Sequence, residues 1–236
     1  MTTIAWISLG VAFACAAWIA ADELRHPQRM WIMNIVWPVT ALYFGPFAVW
    51  GYYKVGRPKM SKDAMAGMSK EQMDARKERQ KAQARTDPTA SQTAVSDSHC
   101  GAGCTLGDVA AAFTVAALGL TIAGVPLYAE WVADFLAAWT LGVAFQYFTI
   151  KPMRGLSVGE GLKAAMKADT LSILTFEVGM FVWMGLVYFV LFTRPHLTPF
   201  DPRYWLMMQV AMVIGFFTAY PMNRWLVRKG WKEAMG

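Results

Sequence analysis

The sequence carries little charge for its length: only 16% of its 236 residues are Asp, Glu, Lys or Arg. A soluble domain has about 25% charged residues, so an ordinary water-soluble fold is excluded. Hydrophobic residues make up 56% of the chain. They are gathered into runs of about 20, the length that a helix needs to cross a bilayer. The composition therefore predicts an all-α, polytopic helical membrane protein.

The sequence also lacks the motifs of several enzyme classes. It has no phosphate-binding loop, no zinc-protease motif and no serine-triad motif, which disfavours ATP-driven and hydrolytic reactions. The C-x2-C-H motif for haem attachment is missing as well. These absences favour a protein that is not an enzyme.

Six transmembrane helices are predicted from the apolar runs, in a two-plus-four arrangement. The predicted spans cover residues 4–21, 31–52, 107–128, 131–150, 170–193 and 204–223. They divide the chain into an N-terminal two-helix membrane unit (1–53), a cytoplasmic connection (54–97) and a four-helix membrane domain (98–236).

The orientation is predicted from the distribution of Lys and Arg. If all six spans cross, eighteen of the 22 Lys and Arg residues fall on one side, and such residues favour the cytoplasmic side. Both termini and the 54–97 connection are then cytoplasmic, in a bacterial inner membrane. The net charge of +6 reflects this topology and contact with the lipid bilayer, and it gives no indication of nucleic-acid binding.

A Met-rich, basic helix is predicted over about 62–85, with Met65, Met68 and Met73 on one side. Such a helix is expected to rest on the inner leaflet, with its lysines toward lipid phosphate. A copper-handling strip and a surface for a membrane or cytosolic protein partner stay open as alternatives. Residues 86–98 have few apolar side chains, which predicts a flexible tether.

Reactive side chains are densest in the segment SHCGAGCTLGD, residues 98–108. Thr105 and Asp108 resemble a helix N-cap and its third-position acid, which predicts that the third span starts near Thr105. Cys100 and Cys104 would then lie on a glycine loop at a helix N-terminus, a position that favours the thiolate. Together with His99 they are predicted to bind a soft metal ion.

The identity of that metal stays open between copper, as Cu(I), and zinc. A closed zinc site needs a fourth ligand, from another group or from the second protomer of a homodimer, whereas Cu(I) accepts two or three soft ligands. The alternative interpretation of the segment is a tight turn of small residues at a crowded helix start. A permanent disulfide is disfavoured because the cytoplasm is reducing.

Polar residues within the predicted spans form a second group of candidates. Glu177 is expected to face other helices, since a carboxylate that faces lipid is costly and such residues are functional by default. Asp108 and Gln146 are predicted to lie at a similar depth, near the cysteines, as supporting polar residues. For Gln146 an interhelical hydrogen bond that fixes the packing is favoured.

Three blocks of the chain resemble a known family. These are the segment 98–108, the stretch LTFEVGM at 174–180 and the end of the chain, YPMNRWLVRKGWKEAM, at 220–235. Together they resemble the bacterial domain-of-unknown-function 4396 family over about residues 98–235. The resemblance implies an inner-membrane protein without a settled activity, and it supplies no catalytic residues.

Three functions stay open at this point. The first is a membrane protein that binds or moves a soft metal ion, captured by His99, Cys100 and Cys104, with Glu177 accepting the ion or a proton. The second is a non-enzymatic scaffold or assembly factor, whose partner binds the cytoplasmic connection. The third is thiol redox chemistry, in which Cys100 and Cys104 alternate between dithiol and disulfide.

Overall fold

The structure is a computed structural model that describes residues 1–28, 30–57 and 86–234, together with positions 69, 71, 72, 75, 78, 79, 82 and 83. The side chains of 152 and 153 are not among those described. The Met-rich helix predicted over 62–85 lies largely outside this part of the chain.

The described chain is helical throughout, as the composition predicts. Its helices are α1 (Thr2–Arg25), α2 (Met33–Phe44), α3 (Pro46–Gly51), α4 (Ala90–Leu118), α5 (Pro126–Arg154), α6 (Val158–Leu186) and α7 (Pro202–Arg228). A π-helical turn extends α3 over Tyr52–Gly56, and another extends α6 over Val187–Leu191.

Among the described residues, four helices are long and apolar enough to cross a membrane: Thr2–Arg25, Ala90–Leu118, Val158–Leu191 and Pro202–Arg228. Helix α5 has 29 residues but is more polar, because it carries Glu130, Asp134 and Gln146 among its apolar residues. The all-α fold with candidate membrane-spanning helices is therefore confirmed.

Helices α4 to α7 form a bundle that alternates in direction. At one end, Lys232, which follows α7, donates to Asp169 in the first half of α6 and to Asn223 of α7. Asn223 donates in turn to Asp97 in the first half of α4. We call this the Lys232 end. At the opposite end, Tyr204 near the start of α7 donates a hydrogen bond to Glu130 near the start of α5. We call this the Tyr204 end.

The backbones of α4 and α5 approach each other closely. A Cβ placed on Gly107 would lie 2.4 Å from the backbone nitrogen of Ala138, and one on Gly103 would lie 2.8 Å from Cα of Gly142. Small residues permit this contact in the same way as in other membrane helix pairs. It fixes the rotation of α4 and thereby decides which of its residues face the interior.

Helix α4 begins earlier than the sequence predicts, and two predictions are corrected as a result. Thr89 caps the helix in a reciprocal capping box with Gln92, so the segment 90–97 is helical and partly buried, and the prediction of a flexible tether is wrong there. Cys100 and Cys104 lie inside the helix, not on a glycine loop at its N-terminus. Thr105 does not cap α4, because its hydroxyl donates to the carbonyl of Gly101 within the helix.

Helix α6 also differs from its prediction. Ser157 and Glu160 form a capping box, and the chain is helical without interruption from Val158 to Leu191. The predicted fifth span, 170–193, therefore begins about three turns inside a longer helix.

The predicted second span, 31–52, is not one crossing helix. Helix α2 has 12 residues, about 18 Å at 1.5 Å per residue, and it ends at Gly45, whose φ of 53° suits glycine. Arg57, after the π-helical turn, binds Asp22 at the end of α1 at 2.9 Å. Gln28 donates to the carbonyl of Gly56 at 3.1 Å. Residues 33–56 therefore form a hairpin that leaves and returns to the same end of the bundle.

The hairpin enters from the Lys232 end. The Trp31 ring lies 5.5 Å from that of Phe148, near the end of α5, and Val95 packs in the cluster that holds the start of α2. Ser8 in the first half of α1 bonds to Gln209 near the start of α7. Helix α1 thus runs from the Tyr204 end to the Lys232 end, so α1 begins and α7 ends at opposite ends of the bundle. The prediction that both termini share one side assumed that 31–52 crosses.

We expect Gly107→Ala to lower the free energy of unfolding by about 1–3 kcal/mol, because the added methyl group meets the α5 backbone, which cannot move aside cheaply. Gly10→Ala is the matched control, since a Cβ there has no neighbour within 4 Å among the described residues. Thermal unfolding of both variants in the same detergent measures the difference. Equal stability of the two variants would contradict the close approach of α4 and α5.

Candidate functional site

Four residues on one face of α4 point into the bundle: Asp97, Cys100, Cys104 and Asp108. Their spacing of three or four residues places them on a single stripe of the helix. Each is fully buried, with 0% exposure. The stripe therefore carries two thiols between two carboxyl groups through the middle of the protein.

Cys100 and Cys104 are free thiols one helical turn apart, and they interact with each other. The hydroxyl of Ser172 on α6 lies 3.0 Å from Sγ of Cys100. Cys104 lies beside Glu177, also on α6. The pair therefore joins two groups of polar side chains, one toward each end of the bundle.

His99 does not share this face. It precedes Cys100 by one residue, which is about 100° around the helix, and it faces α5. Its Nε2 lies 3.3 Å from the hydroxyl of Thr149, and its ring packs at 6.0 Å from that of Phe145. The three predicted metal ligands therefore do not converge.

Within the described part of the chain, no group of three or more His, Cys, Asp or Glu residues is arranged to hold a metal ion. The fourth ligand that a closed zinc site requires is therefore missing around the two thiols. Buried thioethers lie in the same core cluster. The core cluster that contains Cys100 and Cys104 also contains five methionines from α6 and α7: Met180, Met184, Met207, Met208 and Met212.

Acidic side chains lie between the thiols and the Tyr204 end of the bundle. Asp108 lies within electrostatic range of Glu177, Asp134 and Glu130. No described donor bonds to either oxygen of Asp108 or to Oδ1 of Asp134, and Glu177 has only the Cys104 thiol beside it. Unpaired charges in such surroundings are expensive, so this group is suited to hold protons or to meet a cation.

A cavity lies at the Tyr204 end of the bundle, next to Glu130. Glu130, which accepts the hydrogen bond of Tyr204, is among the residues that line a cavity of about 270 Å³. The cavity wall also includes His196 and Thr198 from the connection between α6 and α7. Glu130 therefore belongs both to the acidic group and to the wall of this cavity.

A second polar group lies at the Lys232 end. The ammonium of Lys232 donates to Asp169 at 2.8 Å, to Oδ1 of Asn223 at 2.7 Å and to Ser172 at 3.2 Å. Asn223 donates in turn to Asp97. Burial by itself lowers the pKa of Lys232, but the charge of Asp169, together with Cys100 and Asp97, outweighs this and raises its pKa. The ammonium therefore stays charged in the interior.

Gln146 and Tyr43 complete the surroundings. Gln146 is fully buried, and neither of its side-chain polar atoms has a partner among the described residues, so the interhelical hydrogen bond that the sequence predicts for it is not formed there. Tyr43 comes from the hairpin tip, and its hydroxyl would lie 2.8 Å from a Cβ on Gly101. The hairpin therefore reaches the thiol pair.

The sequence does not predict several of these buried polar residues as part of the site. Lys232 and Asn223 read as part of a cytoplasmic, positively charged end, and Glu130 reads as part of an outer turn. The signal available for α4 is the spacing of Asp97, Cys100, Cys104 and Asp108, which matches a helix face. The glycines between them conceal it, because glycine usually interrupts helices.

We expect Lys232→Met to lower the free energy of unfolding by about 3–5 kcal/mol, because it leaves the buried Asp169 carboxylate without its cation. The exposed Lys229 provides the matched control, and Lys229→Met should change stability by less than about 0.5 kcal/mol. Adding Asp169→Asn to Lys232→Met should recover part of the loss. Equal losses for the two lysine variants, in detergent unfolding curves, would contradict the buried ion pair.

The comparisons with known proteins agree with the resemblance seen in the sequence. The model of the family described as "Domain of unknown function (DUF4396)" matches residues 89–232. This range begins at the N-cap of α4 and ends at Lys232. It therefore contains the two thiols, the acidic side chains toward the Tyr204 end and the polar group around Lys232. Neither the curated proteins nor the solved structures gave a match. The chain belongs to the DUF4396 family.

Proposed function

We propose that the protein moves a soft metal ion, Cu(I), across the bacterial inner membrane, with Cys100 and Cys104 as the central binding site. The observation that carries the proposal is the pair of buried free thiols within α4, in one core cluster with five methionines and close to Glu177 and Asp108.

The donor atoms favour copper over zinc. Thiolate and thioether sulfurs select Cu(I), and two thiolates are enough for it. Zinc in closed sites takes four ligands, commonly from Cys, His and carboxylates, and the described residues offer no such set. His99 faces α5, so in this proposal it supports the packing of α4 and does not bind the ion.

The arrangement of the other polar groups supports movement as well as binding. An ion on the thiol pair has carboxyl groups within reach on both sides, Glu177 with Asp108 toward the Tyr204 end and Asp97 toward the Lys232 end. Ionisable residues inside membrane proteins commonly mark ion pathways. Glu177, beside Cys104, is the group that we expect to receive the ion or to take up the thiol proton.

Thiol redox chemistry and scaffolding account for less of the structure. A redox pair must be reached by a partner thiol, and both sulfurs are fully buried. A scaffold needs no line of unpaired carboxyl groups through its core. The cytoplasmic connection that such a partner would bind lies mostly outside the described residues.

The topology that fits this function has five crossing helices, α1 and α4 to α7, and one re-entrant hairpin, with the Lys232 end in the cytoplasm. Helix α5 crosses because it joins the far end of α4 to the near end of α6. Apart from Arg194 and Arg203, every Lys and Arg then falls at the Lys232 end, in agreement with the positive-inside rule. The N-terminus lies outside.

We expect purified protein to bind about one Cu(I) and the Cys100→Ser/Cys104→Ser variant to bind none, because two thiolates are the smallest soft-ligand set for this ion. Cys15→Ser is the matched control: Cys15 lies in α1, away from the pair, and its loss should leave binding unchanged. Copper per protein is measured by elemental analysis after equilibration with a Cu(I) chelator. Equal copper in all three proteins would refute the proposed site.

Movement of the ion is tested in liposomes. We expect Cu(I) uptake to fall at least tenfold in Glu177→Gln, while the copper bound per protein in detergent stays near one, because the amide cannot carry a negative charge to meet the ion or its proton. Glu160→Gln is the matched control, since Glu160 is exposed on the same helix. Unchanged uptake in Glu177→Gln would contradict the role of Glu177, and no uptake by the unaltered protein would leave a binding protein without transport.

The topology is tested with single introduced cysteines in a Cys15→Ser background. We expect an impermeant maleimide applied to spheroplasts to label Thr3→Cys and Arg194→Cys, which lie at the Tyr204 end, and not Lys163→Cys, which is exposed at the Lys232 end. Protection of Thr3→Cys together with labelling of Arg194→Cys would mean that both termini are cytoplasmic.

A further inference from the structure

The segment that follows α7 folds back into the bundle. After the helix ends at Arg228, Gly230 adopts a φ of 68°, and the backbone nitrogens of Trp231 and Lys232 both donate to the carbonyl of Leu226. This turn directs the side chain of Lys232 inward, between α4, α6 and α7. We call residues 229–234 the C-terminal tail.

Besides the buried lysine, contacts nearer the surface hold the tail, among them a hydrogen bond from Arg154 to the carbonyl of Gly230 and packing of Trp231 against Trp225. Glu233 pairs with Arg154 of α5 at 2.7 Å, and its carbonyl accepts a hydrogen bond from Ser96 of α4 at 3.3 Å. The ammonium of Lys167 lies 4.0 Å from the centre of the Trp231 ring. Both Arg154 and Lys167 are partly solvent-exposed, so these contacts lie at the rim, while Lys232 is fully buried.

The surroundings of the ammonium form a coordination shell of oxygen atoms. Asp169, Ser172 and Asn223 contribute oxygens at 2.7 to 3.2 Å from Nζ, and Asp97 lies behind Asn223. These groups come from three helices, whereas the cation comes from a tail outside them. The oxygens would therefore remain in place if the tail withdrew.

Two buried carboxyl oxygens of this shell are unpaired. Two buried carboxyl groups face one ammonium, and Oδ2 of Asp97 and Oδ2 of Asp169 have no hydrogen-bond partner within the described part of the protein. Buried polar atoms are normally paired, so this excess of acceptors indicates a site built to hold cations.

We propose that Asp97, Asp169, Ser172 and Asn223 form a binding site for a monovalent cation of ammonium size, and that the ammonium of Lys232 occupies it as a tethered ligand. The tail is then a plug that leaves when a free cation takes the place of Lys232. The hard oxygen donors distinguish this site from the sulfur pair, since they suit alkali-type cations and not Cu(I).

The position of the site connects it to the proposed function. Ser172 contacts both the Lys232 ammonium and Sγ of Cys100. The occupied cation site therefore closes off the thiols from the Lys232 end of the bundle. Only this gating role rests on the proposed copper transport. The cation site itself can be tested without copper, so failure of one proposal is distinguishable from failure of the other.

The test is chemical rescue of Lys232→Ala, followed by thermal unfolding in detergent at equal ionic strength. We expect the midpoint of the variant to fall below that of the wild type in choline chloride and to rise with added ammonium or potassium chloride, because a free cation refills the shell. Lys229→Ala and the double variant Lys232→Ala/Asp169→Asn are the controls, and neither should respond to the choice of cation.

Recovery in ammonium or in potassium supports the site. Equal midpoints in all three salts, or a response that persists in the double variant, would overturn it. If Lys232→Ala is too unstable to purify in choline, recovery of folded protein in ammonium gives the same support, and failure in every salt overturns the proposal.

A second measurement uses the wild-type chain. Lys232 and Lys229 are acetylated with a water-soluble amine reagent without copper, and the modification of each is followed by mass spectrometry. We expect Lys232 to react at least tenfold more slowly than Lys229, because its ammonium is seated in the shell. Equal rates would show that the tail does not occupy the site.

Discussion

The close approach of α4 to α5 is the constraint on which the rest of the site depends. Gly103 and Gly107 bring the two backbones together, since a Cβ at either position would overlap α5. Cys104 and Asp108 follow these glycines by one residue, about 100° around the helix, and therefore point toward α6 and α7. The same rotation directs Cys100 and Asp97 inward. The glycines of the segment thus set the direction of its reactive side chains.

The sequence predicts much of the fold and part of the site, and the errors have physical causes. Composition and apolar runs predict the membrane helices, because these depend on length and hydrophobicity. The sequence predicts a glycine loop before Thr105, since Gly101 and Gly103 disfavour a helix in water, but contact with another helix outweighs that preference. Lys232 could not be predicted, because only the turn after Arg228 brings it from the surface into the core.

The hairpin illustrates a different limit. Residues 31–52 are apolar enough for a crossing helix, and hydropathy does not distinguish one crossing from two half-crossings. Gly45 decides the matter through its φ of 53°, a conformation that a sequence pattern does not reveal. The consequence extends beyond the fold, because the hairpin brings Tyr43 against Gly101. It also places the start of α1 at the Tyr204 end of the bundle, opposite to the end of α7. The protein therefore builds its centre from the family domain and the hairpin together.

The central claim is that the two thiols of α4 hold Cu(I) inside the membrane. X-ray absorption at the copper edge of the copper-loaded protein tests this most directly, because it reports the atoms bound to the metal. The account predicts a first shell made only of sulfur, from Cys100 and Cys104 with or without a methionine, and its loss in Cys100→Ser/Cys104→Ser. A shell of nitrogen or oxygen atoms, or an unchanged spectrum in that variant, would contradict the account.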